Sequence, residues 1–248
     1  MSTDISWCHW FHEPSGKWIK GGTLNATVGC SHAAYTGSDG QKHAHPGCGS
    51  YGPGEPRCYA ERFCSRGMHE DHATASQKGH WTGKIVFRPE YLARPFTHRS
   101  FMARRDGLKR FVFLTSLSDM GHPALDVEVW KAINGMMLLS DWNVYLDLTK
   151  RPEGQRERLE KWSPRECVEA FLDACLEVSE SDRVLHVTRW VQGHWSDALH
   201  IRRYVSVSDQ DTADALIPEL LRIPGAFHGG SQEPQIAAVV YRPEWFES

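Results

Sequence analysis

The sequence predicts a protein of the α/β class, in which parallel strands are joined by helices. Two observations carry this prediction: strand-like and helix-like segments alternate five or six times, and polar residues follow the predicted strands. Such alternation gives parallel strands with crossover helices, either as a doubly wound sheet or as a full or partial barrel. The length of 248 residues fits one large domain over 1–248.

Hydrophobic periodicity predicts each element in turn. Short, apolar, β-prone runs predict strands at 23–28, 110–115, 142–148, 183–191 and 203–207, with a sixth before Gln232-Glu233. Apolar residues at helical spacing predict helices from Tyr59, from Leu125 and from Ser163, where Ser-Pro-x-Glu is a start signal. A further helical face at 213–221 contains Pro218, which we expect to kink or restart the helix.

The composition excludes several classes of protein. Hydrophobic residues make up 40% and charged residues 24%, the balance of an ordinary globular domain rather than of a disordered or fibrous chain. The longest apolar runs, Met136–Leu139 and Ile236–Val240, are far shorter than the ~20 residues of a membrane span, so no membrane partner is expected. The first residues lack the features of a secretory signal, and we therefore expect a cytoplasmic protein whose cysteines are thiols or metal ligands.

The charge is unevenly distributed. The net charge of −3 argues against a protein whose whole surface binds nucleic acid. Between Lys84 and Arg110, however, eight Lys and Arg residues accompany only two acids, a local charge of +6. This basic segment is either a solvated face or a surface that contacts phosphates.

Residues 29–80 form the most unusual segment, which we call the cysteine segment. It is poor in aliphatic residues, rich in Gly and Pro, and contains four cysteines and six histidines. A connection this long is usually functional or disordered. Cys30, Cys48 and Cys58 lie in or near turn-forming sequences that can aim several thiolates at one point, as soft metals or iron–sulfur clusters require.

Two other interpretations of the cysteines remain open at this stage. The thiols could bind zinc together with His32, His43 or His45, or they could be unrelated to one another. Cys167 and Cys175 are expected to pack within a helix, Cys175 on its apolar face.

Polar residues occur where the predicted strands end. Ligands of parallel α/β proteins bind at the carboxyl ends of the strands. The polar strand-end residues are Ser116, Ser118, Asp119, Lys150, Arg151, Ser206 and Ser208.

Several blocks of sequence are similar to a known family. The most specific are Cys58-Tyr59-Ala60-Glu61-Arg62-Phe63 and Leu148-Thr149-Lys150-Arg151-Pro152-Glu153, and the residues at 111–119 and 205–210 continue the similarity in order. With these blocks the chain resembles the three-cysteine-motif phage proteins, which are radical S-adenosylmethionine-like proteins of phages and bacteria. The three cysteines are farther apart here than is usual in that family.

The resemblance implies a full or partial (β/α) barrel of about six parallel strands and a [4Fe–4S] cluster held by Cys30, Cys48 and Cys58. The fourth iron would bind S-adenosylmethionine, whose reductive cleavage gives a 5′-deoxyadenosyl radical. Ser116, Ser118 and Asp119 are candidates for its amino group and ribose, and Lys150 and Arg151 for a carboxylate or phosphate. The remaining candidate cofactor-binding residues are Tyr59, Ser206 and Ser208.

The resemblance also implies a class of substrate. A phage protein of this kind, in the host cytoplasm, would act on nucleic acid, and the best prediction is a radical rearrangement of an amino-acid-modified thymidine in DNA. The enzyme would then be an isomerase, a mutase or a transferase, and a reducing electron donor would be a partner. The competing prediction is a zinc-stabilised nucleic-acid-binding module without catalysis, while tRNA or a peptide are alternative substrates. No catalytic residue is assigned.

Overall fold

The centre of the fold is a five-stranded parallel sheet. In this computed structural model, the structure describes residues 9–52, 55–175, 193–225, 227–232, 239–242 and 245. The strands of the sheet are β1 (Gly22–Leu24), β2 (Arg110–Leu114), β3 (Asn143–Thr149), β4 (Ile201–Ser206) and β5 (His228–Ser231). Their order in the sheet is their order in the chain, and each pair of neighbours is parallel. The predicted α/β class is confirmed, and all carboxyl ends meet at one edge of the sheet, the carboxyl edge.

Seven helices lie in the described ranges. They are α1 (Tyr59–Cys64), α2 (Glu70–Ala75), α3 (Arg94–Thr97), α4 (Val127–Leu139), α5 (Pro152–Lys161), α6 (Pro164–Ala174) and α7 (Gln210–Leu221). The predicted capping box is confirmed, since Ser163 and Glu166 bond reciprocally at the start of α6. Helices α4 and α6 approach closely at Gly135, where an added Cβ would lie 2.0 Å from the carbonyl oxygen of Cys167. None of these helices is long and apolar enough to cross a membrane.

The two faces of the sheet differ in what covers them. On one face the main core packs the sheet against the helices, and it includes Trp130, Tyr145 and Phe171. On the other face, which we call the inner face, Phe113, Val144 and Leu146 form a separate small cluster. Six of the seven residues of β3 are buried. That pattern is typical of a parallel strand covered on both sides.

Several predicted elements need correction. The strand predicted at 23–28 is interrupted, because the side-chain oxygen of Asn25 accepts hydrogen bonds from Ser116 Oγ (3.0 Å) and Leu117 N (3.2 Å). The chain bends there, and Thr27–Val28 pairs antiparallel with Val86–Phe87 instead.

Helix ends also differ from expectation. Helix α7 continues through Pro218, since the buried side chains of Ile217 and Leu220 offset the missing backbone hydrogen bond. Cys175 is the C-cap residue one position beyond the end of α6, its N donates to Phe171 O, and it is partly buried against the core, whereas Cys167 is fully buried. The strand predicted at 183–191 lies outside the described residues.

The cysteine segment has more regular structure than its composition suggests. It contains α1, α2 and a 3₁₀ turn at Pro46–Cys48. Its hairpins pair Ala34–Thr36 with Lys42–Ala44, Ser50–Gly52 with Glu55–Pro56, and Ser76–Gln77 with His80–Trp81. Outside it lie a hairpin of Trp10–His12 and Lys17–Ile19 and 3₁₀ turns at Glu13–Ser15, Pro89–Tyr91 and Trp195–Asp197. Hydrogen bonds from Gly29 N to Leu117 O and from Tyr59 Oη to Ser116 O fix the cysteine segment to the carboxyl edge.

Candidate functional site

A cavity of about 270 Å³ lies at the carboxyl edge, between the strand ends and the cysteine segment. Nine of the eleven site residues predicted from the sequence line it: Cys30, Cys48, Cys58, Tyr59, Ser116, Ser118, Asp119, Lys150 and Ser206. Of the other two, Arg151 does not line the cavity, but its Nη1 contacts Cys30 Sγ. Ser208 is buried but does not line the cavity.

Cys30 is placed by the glycine before it. Gly29 has a φ of +112°, and an added Cβ would lie 2.1 Å from the carbonyl oxygen of Lys84. Only glycine fits such a position, because it has no Cβ. This turn sends Cys30 from the end of Thr27–Val28 into the cavity.

Cys48 and Cys58 enter the cavity from two other local structures. Cys48 ends the 3₁₀ turn, and its sulfur accepts a hydrogen bond from Ala33 N at 3.5 Å. Cys58 occupies the N-cap position of α1 without capping it through its side chain. The three thiols therefore come from three separate turns around one space.

His45 anchors the cysteine segment to β4. The ring is buried, Nε2 donates to the carbonyl oxygen of Ser206 at 3.0 Å, and Nδ1 accepts from Gly47 N at 3.1 Å. Burial lowers the pKa of His45 to about 4, with the charge of Lys150 acting in the same direction. The ring is neutral at pH 7, and both of its nitrogens are already used.

The histidines proposed for zinc are directed to other partners. Like His45, His32 and His43 are engaged by protein groups: His32 Nε2 lies 3.3 Å from Glu61 Oε1, and His43 Nε2 lies 2.9 Å from Asp39 Oδ2. Within the described ranges, no group of three or more His, Cys, Asp or Glu side chains is arranged to hold a single metal ion. The zinc alternative therefore has no preformed site in this part of the chain.

Asp119 is a buried carboxylate whose acceptor sites are all used. Oδ1 accepts from Gly121 N (2.8 Å) and Thr149 Oγ1 (2.5 Å), and Oδ2 accepts from Lys150 N (3.1 Å) and Arg151 Nη1 (2.9 Å). Burial alone would raise the pKa of Asp119, but the charge of Arg151 and these hydrogen bonds hold it below its usual value. A carboxylate offers about four acceptor sites, so Asp119 has none left for a ligand.

Arg151 connects Asp119 to the cysteine segment. Nη1 also lies 3.5 Å from Cys30 Sγ, and Nη2 donates to Ser31 O (2.7 Å) and Ser31 Oγ (3.1 Å). Ser31 Oγ in turn lies 2.8 Å from His122 Nε2. Asp119, Arg151, Ser31 and His122 thus form one network, which we call the strand-end network, and it holds Cys30 against β2 and β3.

The electrostatics of the cavity favour negative charge. Lys150, Arg57 and Arg62 line it, and none has a carboxylate partner among the described residues, while the acid Asp119 is already paired with Arg151. Burial raises the pKa of Cys30 to about 12 and that of Cys48 above its usual value, opposed by Arg151 and Lys150 respectively. These two thiols are protonated at neutral pH, and a metal centre would displace their protons.

Two oxygen atoms in the cavity wall lack a partner in the part of the chain that the structure describes. Ser118 Oγ and Thr115 Oγ1 are buried and make no hydrogen bond to any described residue. Both residues line the cavity and lie within four residues of the end of β2. A buried hydroxyl without a partner is costly, so these two atoms are candidates to bond to a ligand in the cavity.

Sequence reasoning missed several residues of the site. Ser31 and His122 belong to the strand-end network, and Thr115, Arg57 and Trp81 line the cavity. Arg57 could have been predicted, because it is a basic residue directly beside the candidate ligand Cys58. The other four have no local pattern that distinguishes them from ordinary polar or core residues.

The fold and the site define an α/β protein with a cysteine-lined cavity at the carboxyl edge of a parallel sheet. Residues 38–244 match the family described as protein of unknown function (DUF5131), and the chain belongs to that family. No curated protein and no solved structure matched the chain.

Proposed function

We propose that this chain is a radical S-adenosylmethionine iron–sulfur enzyme, related to the three-cysteine-motif phage proteins, in which Cys30, Cys48 and Cys58 bind a [4Fe–4S] cluster. One observation carries the proposal: three cysteines from separate turns line a single cavity at the carboxyl edge. Each thiolate of such a cluster binds its own iron, so the three sulfurs would lie around one cluster in this cavity.

The charge around the cavity supports the same assignment. Three thiolates would bring negative charge into a buried space, and Lys150 and Arg151 offset it from two sides. When bound, the cluster would supply the electron, taken from a reducing partner, that cleaves S-adenosylmethionine. The work of the chain is to hold the ligands, keep water out and orient the cofactor.

The cavity also contains groups suited to S-adenosylmethionine. The unpartnered hydroxyls of Ser118 and Thr115 are candidates for its amino group or ribose, and the free ammonium of Lys150 for its carboxylate. Ser116 contributes less, because its Oγ bonds to Asn25 and its carbonyl accepts from Tyr59 Oη. Asp119 acts through Arg151, as a residue that positions the cysteine segment.

We further propose that the sheet forms part of an open barrel. A doubly wound sheet reverses its strand order at a switch point, whereas here the order follows the chain without reversal. A second cavity of about 350 Å³ on the inner face is lined by Phe111, Leu146, Leu148 and Tyr204. Leu148 lines both cavities, which supports access from a substrate on the inner face to the cofactor at the carboxyl edge.

We propose nucleic acid as the substrate, and specifically an amino-acid-modified thymidine in DNA. The proposed reaction is a rearrangement or a transfer. Four residues that line the cavity support this substrate class: Tyr51 is 61% exposed, Arg57 lies 5.4 Å from the centre of its ring, and Arg62 and Trp81 line the same cavity. Aromatic rings and guanidinium groups suit a base taken out of a duplex.

The basic segment contributes less to such binding than its charge suggests. Arg88 is paired with Asp71 (2.5 Å), Arg104 with Asp106, and Arg110 donates to the carbonyl oxygen of Met102. Its last residues lead into the amino end of β2, at the edge opposite the cavity. Arg57 and Arg62, which line the cavity, are therefore the better candidates for phosphate contacts beside it.

Anaerobic reconstitution with iron and sulfide tests the proposed function. We expect about four irons per chain and 5′-deoxyadenosine when the reduced protein is incubated with S-adenosylmethionine. Cys58→Ala should lose the iron, whereas the matched control Cys167→Ala, which removes a thiol buried between α4 and α6, should keep it. Stoichiometric zinc with no iron after reconstitution would instead identify the zinc-stabilised binding module.

A further inference from the structure

The hairpin of Trp10–His12 and Lys17–Ile19 has two different sides. One side is fixed to the amino end of β2, since Trp10 Nε1 donates to the carbonyl oxygen of Lys109 at 3.1 Å and the Trp10 ring stacks on Phe111 with 6.0 Å between centres. Ile19, the residue paired with Trp10, is buried. The next pair in register, Phe11 and Trp18, therefore faces away from the protein.

The outward side presents two aromatic rings to solvent. Trp18 is 68% exposed and Phe11 is 45% exposed, and their ring centres are 5.5 Å apart. The packing of the hairpin already uses Trp10 and Ile19, so these two rings contribute little to the core. Exposed aromatic residues that lie side by side are typical of surfaces that bind another molecule.

Positive charge surrounds the two rings. Lys17 and Lys20 flank Trp18 in the chain, and Lys109 lies where the hairpin meets β2; all three are exposed. None of the three has a carboxylate partner among the described residues, and Glu13 is the only acid between residues 10 and 20. The chemistry of the surface is therefore aromatic and cationic.

We infer that this hairpin binds single-stranded nucleic acid. Unstacked bases would pack on Phe11 and Trp18, and the phosphates would meet Lys17, Lys20 and Lys109. Strands of three residues offer an apolar patch only two rings wide, with lysines at its borders, which suits a flat base better than an apolar protein groove. The surface is at the edge opposite the cysteine cavity, so the inference goes beyond the proposed function and does not depend on a cluster.

Fluorescence anisotropy of a labelled fifteen-nucleotide oligothymidylate, titrated with the full chain, tests the inference. Trp18→Ala should weaken binding about fivefold or more, as expected when one base has no ring to stack on, while Trp18→Phe should retain most of the affinity. Met68→Ala is the matched control, because Met68 is a similarly exposed apolar side chain (53%) in the cysteine segment, and it should bind like the wild type.

The salt dependence of the affinity distinguishes the contribution of the lysines from that of the aromatic rings. Lys20→Glu with Lys109→Glu should flatten the log–log dependence of affinity on salt by about 0.7 for each phosphate that the protein no longer neutralises. Equal binding by the wild type and Trp18→Ala would overturn the inference. Two further results for Trp18→Ala would also overturn it. One is weaker binding to anionic lipid vesicles with unchanged binding to the oligonucleotide, and the other is a change from dimer to monomer with unchanged binding to the oligonucleotide.

Discussion

Replacing Arg151 by Met tests the strand-end network directly. The substitution keeps an unbranched side chain but removes the guanidinium that pairs with Asp119 at 2.9 Å and donates twice to Ser31. Asp119 is 5% exposed, so its charge would remain buried without a cation. Breaking one side of a buried ion pair costs about 3–5 kcal/mol.

We expect the lower end of that range, about 3 kcal/mol, because three other donors to Asp119 remain. Domains are stable by only about 5–15 kcal/mol, so the variant should fold but unfold at clearly lower urea concentration. Arg165→Met is the control, since Arg165 pairs with Glu169 at 2.8 Å on the surface of α6, and it should cost about 0.5 kcal/mol or less.

The pH dependence and a double variant sharpen the test. The pKa of Asp119 is lowered in the fold, so its contribution to stability is present above its unfolded pKa and is lost as the pH falls through the folded value. In Arg151→Met, Asp119 should become protonated at a higher pH than in the wild type. The difference in the free energy of unfolding between the two proteins should therefore become smaller at low pH. Adding Asp119→Asn to Arg151→Met should recover part of the stability, because it removes the buried charge, while the amide nitrogen cannot accept the hydrogen bond that a carboxylate oxygen accepts from Lys150 N or Gly121 N. Wild-type stability in Arg151→Met, or no recovery in the double variant, would refute the reasoning.

The remaining predictions concern packing and acid stability. Gly135→Ala should lower the midpoint of thermal unfolding by an amount that corresponds to about 1–3 kcal/mol, because its Cβ would meet the carbonyl oxygen of Cys167, and an unchanged melting curve would contradict the close approach of α4 and α6. Burial holds the pKa of His45 and of His122 at about 4, below the unfolded value, so stability should fall as the pH drops from about 6.5 towards 4. Urea unfolding between pH 7 and 4.5 measures this loss, which should be smaller in His45→Gln; the same slope in both proteins would show that His45 does not contribute.

The sequence alone was sufficient to predict those elements whose structure depends on residues close to one another in the chain. The strands at 110–115 and 142–148 were predictable because short apolar runs with β-branched and aromatic residues rarely form anything else between two helical patterns. The start of α6 was predictable because Ser163 and Glu166 satisfy each other's backbone groups within one turn. The position of the site followed from the same logic, since parallel strands bring their carboxyl ends to one edge.

Long-range contacts were not predictable in this way. Asn25 interrupts a strand through hydrogen bonds to Ser116 and Leu117, some 90 positions later in the chain. Asp119 was predicted to bind a ligand because it is an acid after a strand, yet the fold surrounds it with four donors from its own chain. A carboxylate that binds a ligand and one that binds an arginine have the same local sequence pattern.

The strand-end network decides which parts of the candidate site are rigid. Asp119 follows β2, and Thr149 and Arg151 end or follow β3, so their mutual hydrogen bonds join the ends of two adjacent strands. Arg151 extends this rigid edge to Cys30, and His45 extends β4 to the turn that holds Cys48. Two of the three cysteines are therefore positioned by the sheet, whereas the placement of Cys58 depends on the start of the short helix α1. It follows that damage to Arg151 or His45 should displace a thiol from the cavity even though neither side chain has to touch a bound cofactor.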